Sequence, residues 1–154
     1  MRSLAVVDAS PLVALFDPRD RDHARCVEVL ARRDLRLVIP GLVITEVAYL
    51  AAKHVGPLAE ARFIRRLRSA DIEAPQPDDW PLIADMIERY AGLPLGTVDA
   101  SIAVLADRLG TDVVITLDRR HFGAIRSPSG RAFRILPEIP SIREEAAAFE
   151  AARA

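Results

Sequence analysis

The constraint that bears hardest on this chain is a short run near its start. Leu4-Ala5-Val6-Val7 stops at Asp8 and is followed by Ala9-Ser10-Pro11. Four apolar residues without polar alternation read as a strand buried on both faces, and such strands sit in the middle of a covered, mostly parallel sheet. Ser10 and Pro11 read as the N-cap and first residue of a helix. Asp8 then stands at the carboxyl end of a central strand, the edge at which open α/β sheets bind ligands. An aspartate in that turn also suits the helix dipole with no further role, so this position alone does not decide.

The rest of the chain repeats the alternation of strand and helix. Helical patterns run over 11–16, 20–32, 42–55, 57–69, 79–91 and 98–109, with strands at 36–39, 71–74, 112–116 and 133–136 between or after them. Val27 and Leu30 are expected to face inward, with Cys26 as a small core residue beside them. Thr97 is expected to cap the 98–109 helix and Gly110 to close it. Arg119 to Ile125 reads as a helical turn, and Ser141 with Glu144 as a capping box opening a last helix. This order predicts an α/β fold, a three-layer α/β/α sandwich with a central, mostly parallel sheet. At 154 residues and 51% hydrophobic, the chain is expected to form a single domain over 1–154. No run reaches the ~18 apolar residues of a membrane span. The lone cysteine excludes an internal disulfide framework or a cysteine-based zinc site. A strand beginning at residue 4 leaves no room for a secretory signal, so the expected location is cytoplasmic.

Three further acidic residues stand in positions as awkward as that of Asp8. Glu46, in Leu42-Val43-Ile44-Thr45-Glu46-Val47-Ala48-Tyr49-Leu50, borders an apolar helical stripe. Unless an arginine such as Arg25 or Arg36 pairs with it, its burial needs a proton or a metal. Asp99 lies in a helix first turn, where the dipole favours it, yet its neighbours Ile102, Ala103 and Ala106 form a packing face. Asp118 follows the strand Asp112-Val113-Val114-Ile115-Thr116, again at a carboxyl end. Two carboxylates at strand ends and two on helices after sheet-to-helix turns can converge on one side of the sheet. Clustered carboxylates repel unless a cation sits among them. Oxygen-only ligation suits a hard divalent ion, magnesium or manganese, which can activate a water and offset charge on a phosphodiester.

In this order and context, Asp8 in VVDAS, Glu46 in VITEVAYL, Asp99 in DASIAVLADRLG and Asp118 in VVITLD resemble the PIN-domain nucleases. The length and helix-rich ends resemble their VapC-type members, the toxins of bacterial toxin–antitoxin pairs. The resemblance implies a metal-dependent endoribonuclease holding Mg²⁺, with Mn²⁺ able to substitute. It implies that Asp8, Glu46 and Asp99 are metal ligands and that Asp118 completes the acidic pocket. Ser10 and Thr116 would be hydroxyls that orient the carboxylates. It implies an RNA substrate, a small antitoxin partner and a homodimer. Where some relatives carry one more acidic residue just beyond the position of Asp118, this chain has Arg119-Arg120-His121. That departure implies one protein-held ion, with a second arriving on the RNA.

The net charge of −1 predicts no polyanion partner by itself. Twenty of the 21 basic residues are arginine, with Lys53 the exception. Arg119 and Arg120 adjoin the acidic positions and are candidates for substrate phosphate. His121 reads as a turn histidine with structural hydrogen bonds. Arg62, Arg65 and Arg66 read as a solvated helix face, with Phe63, Ile64 and Leu67 toward the core. Trp80, Tyr49 and Tyr90 read as core. A phosphoacceptor receiver or a dehalogenase-like phosphatase would need a lysine after a late strand, and Lys53 lies in a helix. An RNA- or partner-binding module without cleavage activity is the remaining alternative, and magnesium-dependent RNA cleavage separates the two.

Overall fold

In the computed structural model residues 1–140 and 142–153 are described. Five strands form the sheet: β1 (Ser3–Val7), β2 (Leu35–Pro40), β3 (Ile72–Glu73), β4 (Val113–Ile115) and β5 (Arg134–Leu136). All pairs are parallel, in the order β3-β2-β1-β4-β5, with Val6 of β1 beside Val38 and Val114. Ala5, Val6 and Val7 are consecutive and completely buried. Successive strand residues point to opposite faces, so both faces of β1 are covered, as the unbroken apolar run requires. After β1 the chain lays down β2 and β3 on one side, then crosses to place β4 and β5 on the other. The strand order therefore reverses between β1 and β4, where a crevice opens at the carboxyl ends. Asp8 and Asp118 both leave the sheet at that crevice.

The covering helices are α1 (Ala9–Ala14), α2 (His23–Leu30), α3 (Gly41–His54), α4 (Pro57–Arg66), α5 (Asp79–Arg89), α6 (Thr97–Arg108) and α7 (Arg119–Ala124), followed by α8 (Ile142–Ala151). A 3-10 turn, Leu67–Ser69, extends α4. In α3 the stripe Val43, Val47, Ala51 is buried at i, i+4 spacing. In α6 every residue from Ala100 to Ala106 is buried. Such a helix is enclosed by its neighbours, here β1, β2, α3 and α5. Gly110 closes α6 at φ +71, as expected. Cys26 is fully buried. Burial, with Asp22 nearby, pushes its thiol up to about 11, so it is an unreactive core residue. Among the described residues no helix is long and apolar enough to cross a membrane.

Several local expectations are corrected. Helix α1 begins two residues early, so Asp8 is its N-cap, accepting from the Ala9 N–H at 2.7 Å, and Ser10 lies inside the first turn. Gly96 is the N-cap of α6 and Thr97 its first residue. Helix α2 is shorter than 20–32 and buries Cys26 and Val29, while Val27 is exposed. The two i, i+3 pairs differ by one residue, and only packing selects the phase. Tyr49, Ile64 and Trp80 are exposed rather than core. In α5 the buried stripe starts at Asp79, drawn inward by Arg108, and that rotation sends Trp80 to the rim. The Ser141–Glu144 capping box involves Ser141, which lies outside the described residues.

Candidate functional site

The crevice is assembled by short connections from buried elements. The Asp8 N–H donates to the Ile115 carbonyl at 2.9 Å and the Thr116 N–H to the Leu136 carbonyl at 2.9 Å, so the ends of β1, β4 and β5 are locked in register. Thr116 is completely buried. Its hydroxyl donates to Asp8 Oδ2 at 2.6 Å and accepts from the Asp118 N–H at 3.0 Å. One side chain thus orients Asp8 and the backbone that carries Asp118. Ser10 does its work on the backbone: its Oγ accepts from the Leu117 N–H at 3.1 Å, tying α1 to the residue before Asp118.

The electrostatics identify which carboxylates face one another. Burial pushes Asp8 up to about 6 against hydrogen bonds from Thr116 and Ala9, and Asp99 and Glu46 push it further. Glu46 is also raised, first by burial and then by Asp99. Asp99 is raised by burial and then by Asp118, while His121 and the Gly96 backbone act the other way. The four expected carboxylates therefore form one chain of mutual repulsion. Among the described residues none of the ion pairs involves Asp8, Glu46 or Asp99. Arg25 and Arg36, the suggested partners of Glu46, pair with Asp22 and Asp71. A cavity of about 420 Å³ opens beside Glu46 and Asp99, lined also by Thr45, Gly96, Thr97 and Val98.

Asp118 behaves differently from the other three. It caps α7, its Oδ1 accepting from the His121 N–H at 3.0 Å, and its Oδ2 lies 2.6 Å from His121 Nδ1. A ring nitrogen of His121, an oxygen of Asp99 and an oxygen of Asp118 all lie within 4.8 Å of one another. From the sequence His121 reads first as a turn histidine with structural hydrogen bonds, with substrate contact as the alternative. The available signal was its place one helical turn after Asp118, where side chains meet.

The two arginines separate. The Arg119 guanidinium donates to the Pro137 carbonyl. Burial, then Arg25 nearby, lowers its pKa. It fastens α7 to the loop after β5, in place of the phosphate contact expected from the sequence. Arg120 is exposed at the start of α7.

The residues fit a divalent ion. Asp8, Glu46 and Asp99 offer hard oxygen donors, repel one another, and among the described residues form no ion pair. A cation there removes the repulsion and recovers the cost of burying Asp8 as a charge.

Comparison with known proteins agrees with this geometry. Residues 5–128 match the PIN domain family. Ribonuclease VapC26 of Mycobacterium tuberculosis is 35% identical over 134 residues, covering 86% of this chain and 99% of that protein. Among solved structures, VapC20 of Mycobacterium tuberculosis, described as a Sarcin-Ricin loop cleaving toxin, is similar with a TM-score of 0.73 and 19% identity, covering 78% of this chain and 94% of its own. VapBC2 from Rickettsia felis, bound to a DNA fragment from its promoter, gives 0.63 and 17%, covering 86% and 98%. At those identities the two structures bear on the fold alone.

Proposed function

The chain belongs to the PIN-domain family, and from that premise we propose that it is a divalent-metal-dependent endoribonuclease, the toxin of a toxin–antitoxin pair, acting on RNA in the cytoplasm. The observation that carries the reading is the buried Asp8 carboxylate at the strand-order reversal, facing Glu46 and Asp99, with no ion pair to any of the three among the described residues. Asp8, Glu46 and Asp99 are the residues to hold Mg²⁺ or Mn²⁺. Such an ion supplies Lewis acidity, lowering the pKa of a water and offsetting charge on the phosphodiester. Thr116 holds Asp8 in place. Ser10 holds the loop that carries Asp118, which borders the pocket. Arg120 is the free guanidinium nearest the pocket in sequence, suited to a phosphate oxygen.

The test pairs cleavage with stability. Asp99→Asn keeps the shape and much of the helix-start preference but removes a charge that holds the ion. Cleavage of a total-RNA pool in Mg²⁺ should fall ~10²–10³-fold. The melt should change by at most about 1 kcal/mol. A folded variant that cuts as fast as the wild type would return Asp99 to a helix-start role and favour a binding module without cleavage.

For the partner, a cavity of about 450 Å³ between α1, β2 and α4 is lined by Leu12, Phe16, Leu37, Phe63 and Leu67. Arg2 and Arg66 also line it, and among the described residues neither has an ion-pair partner. This suits an apolar antitoxin helix with acidic flanks, seated between α1, β2 and the C-terminal end of α4. Hydrogen exchange with the cognate antitoxin should protect α4. Protection confined to α8 would redirect the proposal. The family resemblance adds a homodimer, which light scattering of the free chain reads directly.

A further inference from the structure

We propose that α8 is a docking helix for a second copy of this chain: its Phe149 face enters the apolar cavity between α1, β2 and α4 of the other copy, and its glutamates meet the arginines there. The inference gives a second occupant to the cavity assigned above to the antitoxin. It rests on that surface and not on RNA cleavage.

Helix α8 is the one helix that the rest of the chain leaves without support. Every residue from Arg143 to Arg153 is exposed, Phe149 at 63%. A helix of 10 residues is marginal in water by itself, and helices in proteins gain most of their stability by packing one face. Ala146 and Phe149 stand one turn apart on such a face, with Glu145 beside them at i, i+4 from Phe149. Among the described residues neither Glu145 nor Glu150 enters an ion pair. The helix also lies outside residues 5–128, which match the PIN domain family, so the family assigns it no role.

The cavity has the converse properties. Leu12, Phe16, Leu37, Phe63 and Leu67 make it apolar, and Arg2 and Arg66 bring positive charge to it. Arg62 and Arg65 extend that charge along α4, exposed and, among the described residues, without ion pairs. Arg62 stands at i, i+3 from Arg65 and i, i+4 from Arg66, spacings at which like charges repel. Acidic groups seated there relieve the repulsion. Ion pairs at an exposed rim contribute little alone, so most of the affinity comes from burying the Phe149 ring. In its own chain α8 is exposed on all sides and covers nothing, so the cavity it fills is a neighbour's. Mutual exchange of α8 between two copies closes a two-fold pair.

Mixing two full-length variants tests this. Ala146→Cys puts a thiol on the α8 face and Ser69→Cys puts one at the cavity wall, while Cys26 is buried. Mild oxidation should join the two chains by a mixed disulfide. Phe149→Asp in the first chain should lower its yield on the order of 10-fold or more, and Arg66→Glu in the second should lower it less. Hydrogen exchange of the wild type should show α8 and α4 gaining protection together as concentration rises, and Phe149→Asp should remove both gains. Association that leaves α8 unprotected overturns the proposal. So do a mixed disulfide indifferent to Phe149→Asp, and closure of the disulfide within one chain carrying both cysteines. The cognate antitoxin should displace α8. If α8 docks and the antitoxin leaves it in place, the antitoxin reading of the cavity fails and this one stands. If the antitoxin protects α4 while α8 exchanges freely at every concentration, the reverse holds.

Discussion

Asp8 and Asp79 are nearly equally buried, 6% and 5% exposed, and they differ in the charges around them. Asp79 receives the Arg108 Nε at 3.1 Å and the Gln76 N–H at 2.8 Å. Arg108 also donates to the Ala74 carbonyl at 3.2 Å and lies 3.6 Å from Glu73. That cluster braces α5 and α6 against the end of β3. Asp8 receives a hydroxyl and an N–H but no cation, and it faces two further carboxylates. A buried charge is tolerable when it is paired and hydrogen-bonded. The fold supplies the pair at Asp79 and withholds it at Asp8. An acidic residue completed from within the chain is architecture, and one left uncompleted by the same chain is capacity for an external ion.

The largest effect should come from breaking the completed member. Arg108→Ala leaves Asp79 buried without its cation, and removing one partner of a buried pair costs about 3–5 kcal/mol. Urea melts should read that loss, and millimolar Mn²⁺ should not restore it, because the proposed metal site lies elsewhere. Replacing both partners, Asp79→Leu with Arg108→Met, should recover much of the stability. A single variant as stable as the wild type would remove the contrast at its structural end.

The uncompleted member should be visible in the pH dependence of the metal-free chain. Asp8 titrates at about 6 in the fold against 3.8 in the unfolded chain. The folded state therefore binds more protons between those values, and stability falls as pH rises from about 4 through about 6. The size expected is on the order of 2–3 kcal/mol. Glu46 and Asp99 are shifted in the same direction and add to it. Asp17 and Asp34 are lowered by their arginines and oppose it at the acid end, so the informative quantity is wild type minus Asp8→Asn. Melts across pH 4–8 in chelator should show that difference growing with pH, and Mn²⁺ at pH 7.5 should close it. A flat difference would mean that Asp8 is not held near neutral pH at a cost.

Much of this contrast was legible before the structure, and the part that was not has a physical reason. The runs at Leu4–Val7 and Val113–Ile115 announce buried parallel strands because no surface strand tolerates unbroken apolar residues. Their order of use then places Asp8 and Asp118 at one crevice. From the sequence either Asp78 or Asp79 can cap the helix over 79–91, and nothing marks Asp79 as buried, because its partner Arg108 lies 29 residues away and pairing at that range has no local pattern. The same distance hid the rotation that exposes Trp80. The N-cap was assigned to Ser10 although Asp8 holds it, because both side chains are good caps and only the backbone path selects between them. For Arg119, adjacency in sequence suggested the pocket, but the first turn of α7 points it at Pro137.

The smallest effect expected, and the finest probe of the contrast, is Thr116→Val. Valine keeps the volume and the β-branching of a completely buried strand-end residue, so packing changes little. It removes the hydroxyl donated to Asp8 Oδ2 and the acceptor of the Asp118 N–H. That hydroxyl is the strongest hydrogen bond holding Asp8 down, so Asp8 should move further up when it is lost. At pH 8 in chelator Asp8 is ionised and loses a charge-assisted bond, at a cost of about 1–2 kcal/mol. Near pH 4.5 Asp8 is protonated, and the residual cost is that of the Asp118 N–H alone. The gap between variant and wild type should therefore widen as pH rises through about 6, in the sense set by the larger Asp8 shift. Saturating Mn²⁺ should narrow it, since an ion on Asp8 replaces the donor that the hydroxyl supplied. Parallel stability curves for the two proteins would show that the hydroxyl does not hold Asp8, and would reduce its difference from Asp79 to the missing arginine alone.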